Sequence, residues 1–286
     1  MSTFALTVDV PEAEADDAAA LLLEAGAAGA EVRDATVAPM PGAARPPAGR
    51  ALVVAFFGGR EAALEAARAL GLPGEVAELA DRDWGESWKE GLAPFRVGRV
   101  FVRFSWTPGP PPPGAAEVVL DPGMAFGTGT HPTTALCLEA LDALLAASPG
   151  AAVLDVGTGS GLLAIAAARL GAGRVAATED DPAALRVAAE NAARNGVALE
   201  LALAPPRAVA GRFPIVVANI LANTLVELAP ELAPRVAPGG ALLLSGILAG
   251  QEEEVRAAYV AQGLAADPAR DRAQGEWRLV ALRGAA

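Results

Sequence analysis

The chain has 286 residues, 53% of them hydrophobic, with a formal net charge of −12, one Cys and one His, and at roughly 100–200 residues per domain this length predicts about two domains, each able to bury a core without staples. The single Cys137 excludes a disulfide framework within the chain, and with one His it cannot assemble a Cys/His metal cage, so no metal site is expected. The acidic total argues against sequence-specific docking on a phosphate backbone and favours basic or neutral partners.

At the start, MSTFALTVDV has no basic opening and meets Asp9 too early for a signal peptide. No later window approaches the ~18 consecutive apolar residues of a spanning helix. A cytoplasmic, membrane-free monomer is therefore expected. Phe4 to Val8 alternates with period two, Glu12 to Ala25 has helical composition, and Ala30 to Val37 reads as a strand. A loop through Pro39, Pro41, Gly42, Pro46 and Pro47 follows. Ala51 to Phe57 is a second apolar strand, Arg60 to Leu70 a helix, and Glu75 to Leu79 a last short strand. The order β-α-β-β-α-β predicts a small α+β ferredoxin-like domain over residues 1–80.

A connector, residues 81–95, comes next, DRDWGESWKEGLAPF, in which Trp84 and Trp88 share one face of a short helix that ends before Pro94. They either pack a hinge or form an aromatic wall on the substrate side. Over residues 96–286 the pattern becomes an α/β alternation. It begins with a strand at Val97 to Phe104 and an exposed loop at Pro108 to Pro113. Strands are then expected at Ala152 to Val156, Arg174 to Thr178, Leu199 to Ala202, Ile215 to Asn219, Ala241 to Ser245 and Trp277 to Leu282. Helices are expected at Thr133 to Ala147, Gly161 to Leu170, Pro182 to Asn195, Thr224 to Val236 and Gln251 to Gln262. This is a doubly wound, largely parallel sheet with a ligand crevice at the carboxyl ends of its strands.

The strongest motif is VLDVGTGSGLLAIAA, Val153 to Ala167, where a buried strand runs into a glycine turn that opens a helix. Gly157, Gly159 and Gly161 let the backbone approach a ligand, and the helix start offers unpaired N–H groups. A dinucleotide fingerprint requires a third glycine where Leu162 stands, which argues against a nicotinamide dehydrogenase. Glu179 follows the next strand, which ends at Thr178, at a position where a carboxylate can accept both hydroxyls of a ribose; Asp181-Pro182 reads as a helix cap followed by a first-turn proline. Asp155, inside an apolar strand, is expected to hold the glycine loop through backbone N–H groups. Ahead of that loop lies AFGTGTHPTT, in which Thr133 or Thr134 is expected to cap the following helix; beyond the fourth strand Asn219 opens the tetrad Asn219-Ile220-Leu221-Ala222.

The glycine motif resembles the first motif of class I methyltransferases, and AFGTGTHPTT, VLDVGTGSG, EDDP and ANILA together closely resemble the ribosomal protein L-eleven methyltransferase family. The resemblance runs from Leu120 to Trp277, covers the hinge DWGESWKEGLAP and extends more weakly over the N-terminal domain. It implies a seven-stranded methyltransferase domain and S-adenosyl-L-methionine as cofactor, contacted by Thr134, Gly157, Gly159, Glu179 and Asn219. It further implies a basic large-subunit ribosomal protein as partner, gripped by the N-terminal domain and methylated at lysine side chains and an α-amino group. At Glu179 the family more often has Asp; the longer side chain still reaches a ribose. The alternative is a methyltransferase for another protein lysine or a small-molecule amine.

In-line displacement of a methyl group from a sulfonium needs positioning and a neutral amine. A lysine of pKa about 10.4 loses its proton at pH 7 at a cost of roughly 4.6 kcal/mol, of which a dry crevice supplies a part. Methyltransferases acting on planar nitrogens carry an aromatic at the fourth position of the tetrad to stack on the flat group. Ala222 has no ring, so a flexible amine fits better. The catalytic candidates are Asn219, which orients the amine or contacts the cofactor, and His131, which acts as a base near pH 7 or structures its loop.

Overall fold

The computed structural model describes residues 3–33, 46–47, 49–79, 92–121 and 129–285. The chain divides into two compact units, Met1–Gly91 and Leu92–Ala286. Trp84 and Trp88 lie outside the described residues, as do the prolines at 39 and 41.

In the first unit β1 (Thr3–Pro11), α1 (Ala15–Glu24), β2 (Gly29–Arg33), β3 (Arg50–Phe57), α2 (Arg60–Leu70) and β4 (Gly74–Leu79) follow one another in the expected order. The sheet order is β2-β3-β1-β4, antiparallel throughout. Alternation decides which face is covered: Leu6, Val8 and Val10 of β1 are buried while Asp9 and Pro11 are exposed. Those side chains join Leu22 of α1, Val53 and Phe57 of β3, and Ala63 and Ala66 of α2 in one core.

The second unit opens with β5 (Phe95–Val97), β6 (Val100–Phe104) and β7 (Ala116–Leu120), a small sheet in which β6 and β7 are parallel. Beyond it come α3 (Pro132–Ala147), β8 (Ala152–Val156), α4 (Leu162–Arg169), β9 (Arg174–Glu179), α5 (Pro182–Arg194), β10 (Glu200–Leu203), β11 (Phe213–Asn219) and α6 (Ala222–Leu232). The chain ends with β12 (Val236–Leu248), α7 (Glu252–Val260), β13 (Ala265–Ala266), β14 (Arg272–Gln274) and β15 (Trp277–Arg283). The main sheet runs β10-β9-β8-β11-β12-β15-β13, a seven-strand path, and β14 adds an eighth strand by pairing with β15. The first five strands are parallel and β15 is antiparallel to β12. Strand order reverses between β8 and β11, and such a switch point opens a crevice beyond the carboxyl ends of the strands.

Both faces of this sheet are covered, which is why its strands read as continuous apolar runs. Val153, Ile215, Val217, Leu243, Leu279 and Ala281 point into one core with α3 and α4. Their neighbours Leu154, Val216, Ala218, Leu244, Val280 and Leu282 point into the other with α6 and α7. Cys137 of α3 is fully buried in the first core.

Several local expectations change. The strand expected at Val97 to Phe104 is two: β5 ends at Val97, the chain turns at Gly98 with φ +55°, and β6 starts at Val100 antiparallel to β5. β7 was not anticipated: it is a five-residue run that pairs in parallel with β6 across the connection 105–115. The helix expected to reach Val236 stops at Leu232 and tightens into a 3-10 turn, since Pro234 lacks the N–H that would continue the ladder. The cap of α3 is His131 and neither Thr133 nor Thr134: Pro132 takes the first helical position, and His131 Nδ1 accepts the Thr133 N–H at 3.3 Å.

Candidate active site

The glycine loop between β8 and α4 is held to its neighbouring strand, for the Gly157 and Thr158 N–H groups donate to the Thr178 carbonyl at 2.9 and 3.1 Å. Gly157 has φ +70°, and a Cβ there would stand 2.5 Å from Ile220 Cγ2; a Cβ on Gly246 would stand 2.1 Å from the Ile220 carbonyl oxygen. The turn after Asn219 is thus clamped between two glycines of neighbouring strand ends. Gly159 and Gly161 also adopt positive φ.

Asp155 is 1% exposed. Its Oδ2 accepts the Thr158 hydroxyl at 2.7 Å and the Ala164 N–H at 3.1 Å, tying the loop to α4 through one hydroxyl and one backbone amide. Oδ1 is buried without a hydrogen bond. Burial, the largest influence, pushes the Asp155 carboxyl from near 3.8 up to about 6 against the pull of those two donors. Burial also pushes the Cys137 thiol up, with the Asp155 charge adding to the effect.

Glu179 ends β9 beside the loop. Its Oε2 accepts the Gly159 N–H at 2.8 Å, and its Oε1 accepts the Asp180 and Asp181 N–H groups at 3.0 and 3.3 Å. Asp181 then caps α5 by accepting the Ala183 N–H at 2.7 Å, with Pro182 in the first turn as expected. Across β8, at the end of β11, Asn219 Nδ2 donates to Thr134 Oγ1 at 3.4 Å. The structure therefore gathers Thr134 and Asn219 directly, and sets Gly157, Gly159 and Glu179 at the ends of the two neighbouring strands. His131 Nδ1 shares a hydrogen bond with the Thr133 hydroxyl at 2.8 Å, and its ring meets the Trp277 ring edge-on with centroids 4.5 Å apart.

Two residues of this neighbourhood escaped the sequence reading. Asn191 and Asn195 on α5 are 0% and 3% exposed. Asn191 Nδ2 donates to the Asp121 carbonyl at 3.0 Å and to the Ser160 carbonyl at 2.9 Å, while its Oδ1 accepts the Asp121 N–H at 2.9 Å. Asn195 makes the corresponding pair with Val119, at 2.7 and 2.8 Å. Their spacing of four, on a helix face otherwise lined by Ala184, Ala188 and Ala192, was the available signal.

The ribosomal protein L11 methyltransferase family (PrmA) matches residues 2–284. A ribosomal protein L11 methyltransferase of Myxococcus xanthus is 43% identical over 284 residues, covering 97% of each chain. One of Chromohalobacter salexigens is 55% identical over 198 residues, 68% of this chain and 65% of that one. A crystal structure of a ribosomal protein L11 methylase from Lactobacillus delbrueckii subsp. bulgaricus superposes with a TM-score of 0.61 at 32% identity, covering 68% of this chain and 99% of the other. The chain belongs to the ribosomal protein L11 methyltransferase family. It has the α/β fold of class I methyltransferases and is a methyltransferase with S-adenosylmethionine as its cofactor. The residues present fit that group. A loop turned on three positive-φ glycines leaves its backbone open to close approach, and Glu179 Oε2, which accepts one N–H, keeps a lone pair for a hydroxyl proton. Among the described residues no three His, Cys, Asp or Glu side chains gather as a metal site, and no helix is long and apolar enough to cross a membrane.

Proposed function

We propose that this chain methylates amines, lysine side chains and an α-amino group, of the large-subunit ribosomal protein L-eleven. The observation that carries this reading is the juxtaposition of Asn219 with Thr134 at the switch point, in a chain its family matches nearly end to end. Thr134, Gly157, Gly159, Glu179 and Asn219 hold the cofactor, whose sulfonium supplies an electrophilic methyl group when bound. Asn219 Nδ2 is engaged by Thr134, so its Oδ1 faces the amine as acceptor and aligns the nitrogen lone pair. Leu221, 70% exposed in the turn that follows, lends apolar surface to the lysine stem. Desolvation favours the neutral amine. His131 is committed through Nδ1 to the start of α3, so no side-chain base is assigned. Residues 1–80 grip the ribosomal protein, residues 81–95 form the hinge, and residues 96–286 carry the chemistry, in a cytoplasmic monomer.

The test is incubation of the full chain with radiolabelled S-adenosylmethionine and purified ribosomal proteins, followed by mass mapping. Label on ribosomal protein L-eleven at amine nitrogens is the expected result. Label confined to a protein of another size, or to carboxylates, would overturn the substrate reading.

A further inference from the structure

Among the described residues β7 pairs with one strand, β6, and Val119 and Asp121 present their N–H and C=O groups along its other edge. Two side-chain amides of α5 meet these groups. Four residues of helix rise about 6 Å and two residues of strand about 6.6 Å. Asn191 and Asn195 are therefore spaced to meet Asp121 and Val119 as a second strand would. The two part company in what else they reach. The second Nδ2 hydrogen of Asn195 turns back to the Asn191 carbonyl at 2.8 Å, inside the helix. The second Nδ2 hydrogen of Asn191 goes to the Ser160 carbonyl, in the glycine loop.

We propose that Asn191 is a positioning residue for the cofactor, fixing the glycine loop at Ser160 to the end of β7 at Asp121 and thereby setting the affinity for S-adenosylmethionine. It touches no reacting atom. It acts by removing freedom from the loop, so that less ordering remains to be done on binding. Asn195 anchors the same strand without reaching the loop and serves as the internal control. This inference rests on the assignment of the glycine loop to the cofactor.

The experiment is calorimetric titration of the full-length wild type, Asn191→Ala and Asn195→Ala with S-adenosylhomocysteine, with the thermal midpoint of each. Asn191→Ala should weaken binding roughly tenfold and raise KM for S-adenosylmethionine in step, leaving kcat within about threefold. Asn195→Ala should lower the midpoint while keeping the affinity within about twofold. Wild-type-like affinity in Asn191→Ala, or an equal loss in Asn195→Ala, overturns the proposal. Should Asn191→Ala fail to fold, amide hydrogen exchange of the wild type decides. S-adenosylhomocysteine should slow exchange at Asp121 together with Gly159, and protection of Gly159 with Asp121 unchanged overturns the coupling. A wild type that binds no S-adenosylhomocysteine would instead sink the cofactor assignment, and this proposal with it.

Discussion

A single amide at the end of β11 has two ends with different duties. Asn219 donates to Thr134 through Nδ2, and in the proposed function its oxygen faces the incoming amine. Asn219→Ala should lower kcat on the order of a hundredfold through lost alignment, measured by methyl transfer to the ribosomal protein. An unchanged rate and cofactor affinity would refute the assignment. Asp155 lends itself to a pH measurement. Its carboxyl is held near 6 in the folded chain against an ordinary value near 3.8. Below about pH 4 it is protonated in both states and costs nothing. Between about 4 and 6 the unfolded chain gives up the proton while the folded chain keeps it, so stability falls as pH rises. Above 6 the buried charge carries a penalty of a few kcal/mol. Relative to Asp155→Asn, the wild type should therefore gain stability between pH 7 and pH 4.5, read by denaturant unfolding. A difference that stays flat would mean that Asp155 keeps an ordinary pKa. At this scale Asn219 was legible because it stands alone at the end of an apolar strand, and Glu179 because it follows the loop by one strand. Asn191 was not, since polar residues on an alanine-rich helix read as a solvated face until the strand they meet is known.

Among elements, β8, β11, β12 and β15 could be read because burial on both faces writes an unbroken apolar run between turn residues. β7 carries no such mark: Glu117 within it pairs with Arg103 of β6 at 2.7 Å, an ion pair that a sequence window cannot foresee. The cap of α3 was misplaced by two or three residues because Thr is a preferred cap and His is not. Pro132 decided the matter by taking the position where a missing N–H is harmless. His131→Ala should therefore cost about 1 kcal/mol of stability as a lost cap and lower the thermal midpoint, with turnover reduced less than tenfold. A larger loss in turnover, accompanied by disappearance of an acidic limb from the pH–rate profile, would make His131 a base after all.

For the molecule as a whole, a net charge of −12 sets the terms of encounter with a basic protein. Methylation of ribosomal protein L-eleven should lose kcat/KM several-fold between roughly 50 and 200 mM salt, through slower association. A salt-independent kcat/KM would show that recognition is not steered by this charge. The division into two units leaves the chain's one thiol in the second, where Cys137 lies fully buried with its pKa pushed up beside Asp155. A thiolate is the reactive form, and this one neither forms readily nor meets solvent while the unit is closed. Ellman's reagent should find no thiol in the native protein and one per chain in denaturant. Slow modification in native buffer then times the opening of the methyltransferase unit with no label introduced, and cofactor binding should stretch that time. The protein carries its own stopwatch, sealed inside the layer that must part before it can start.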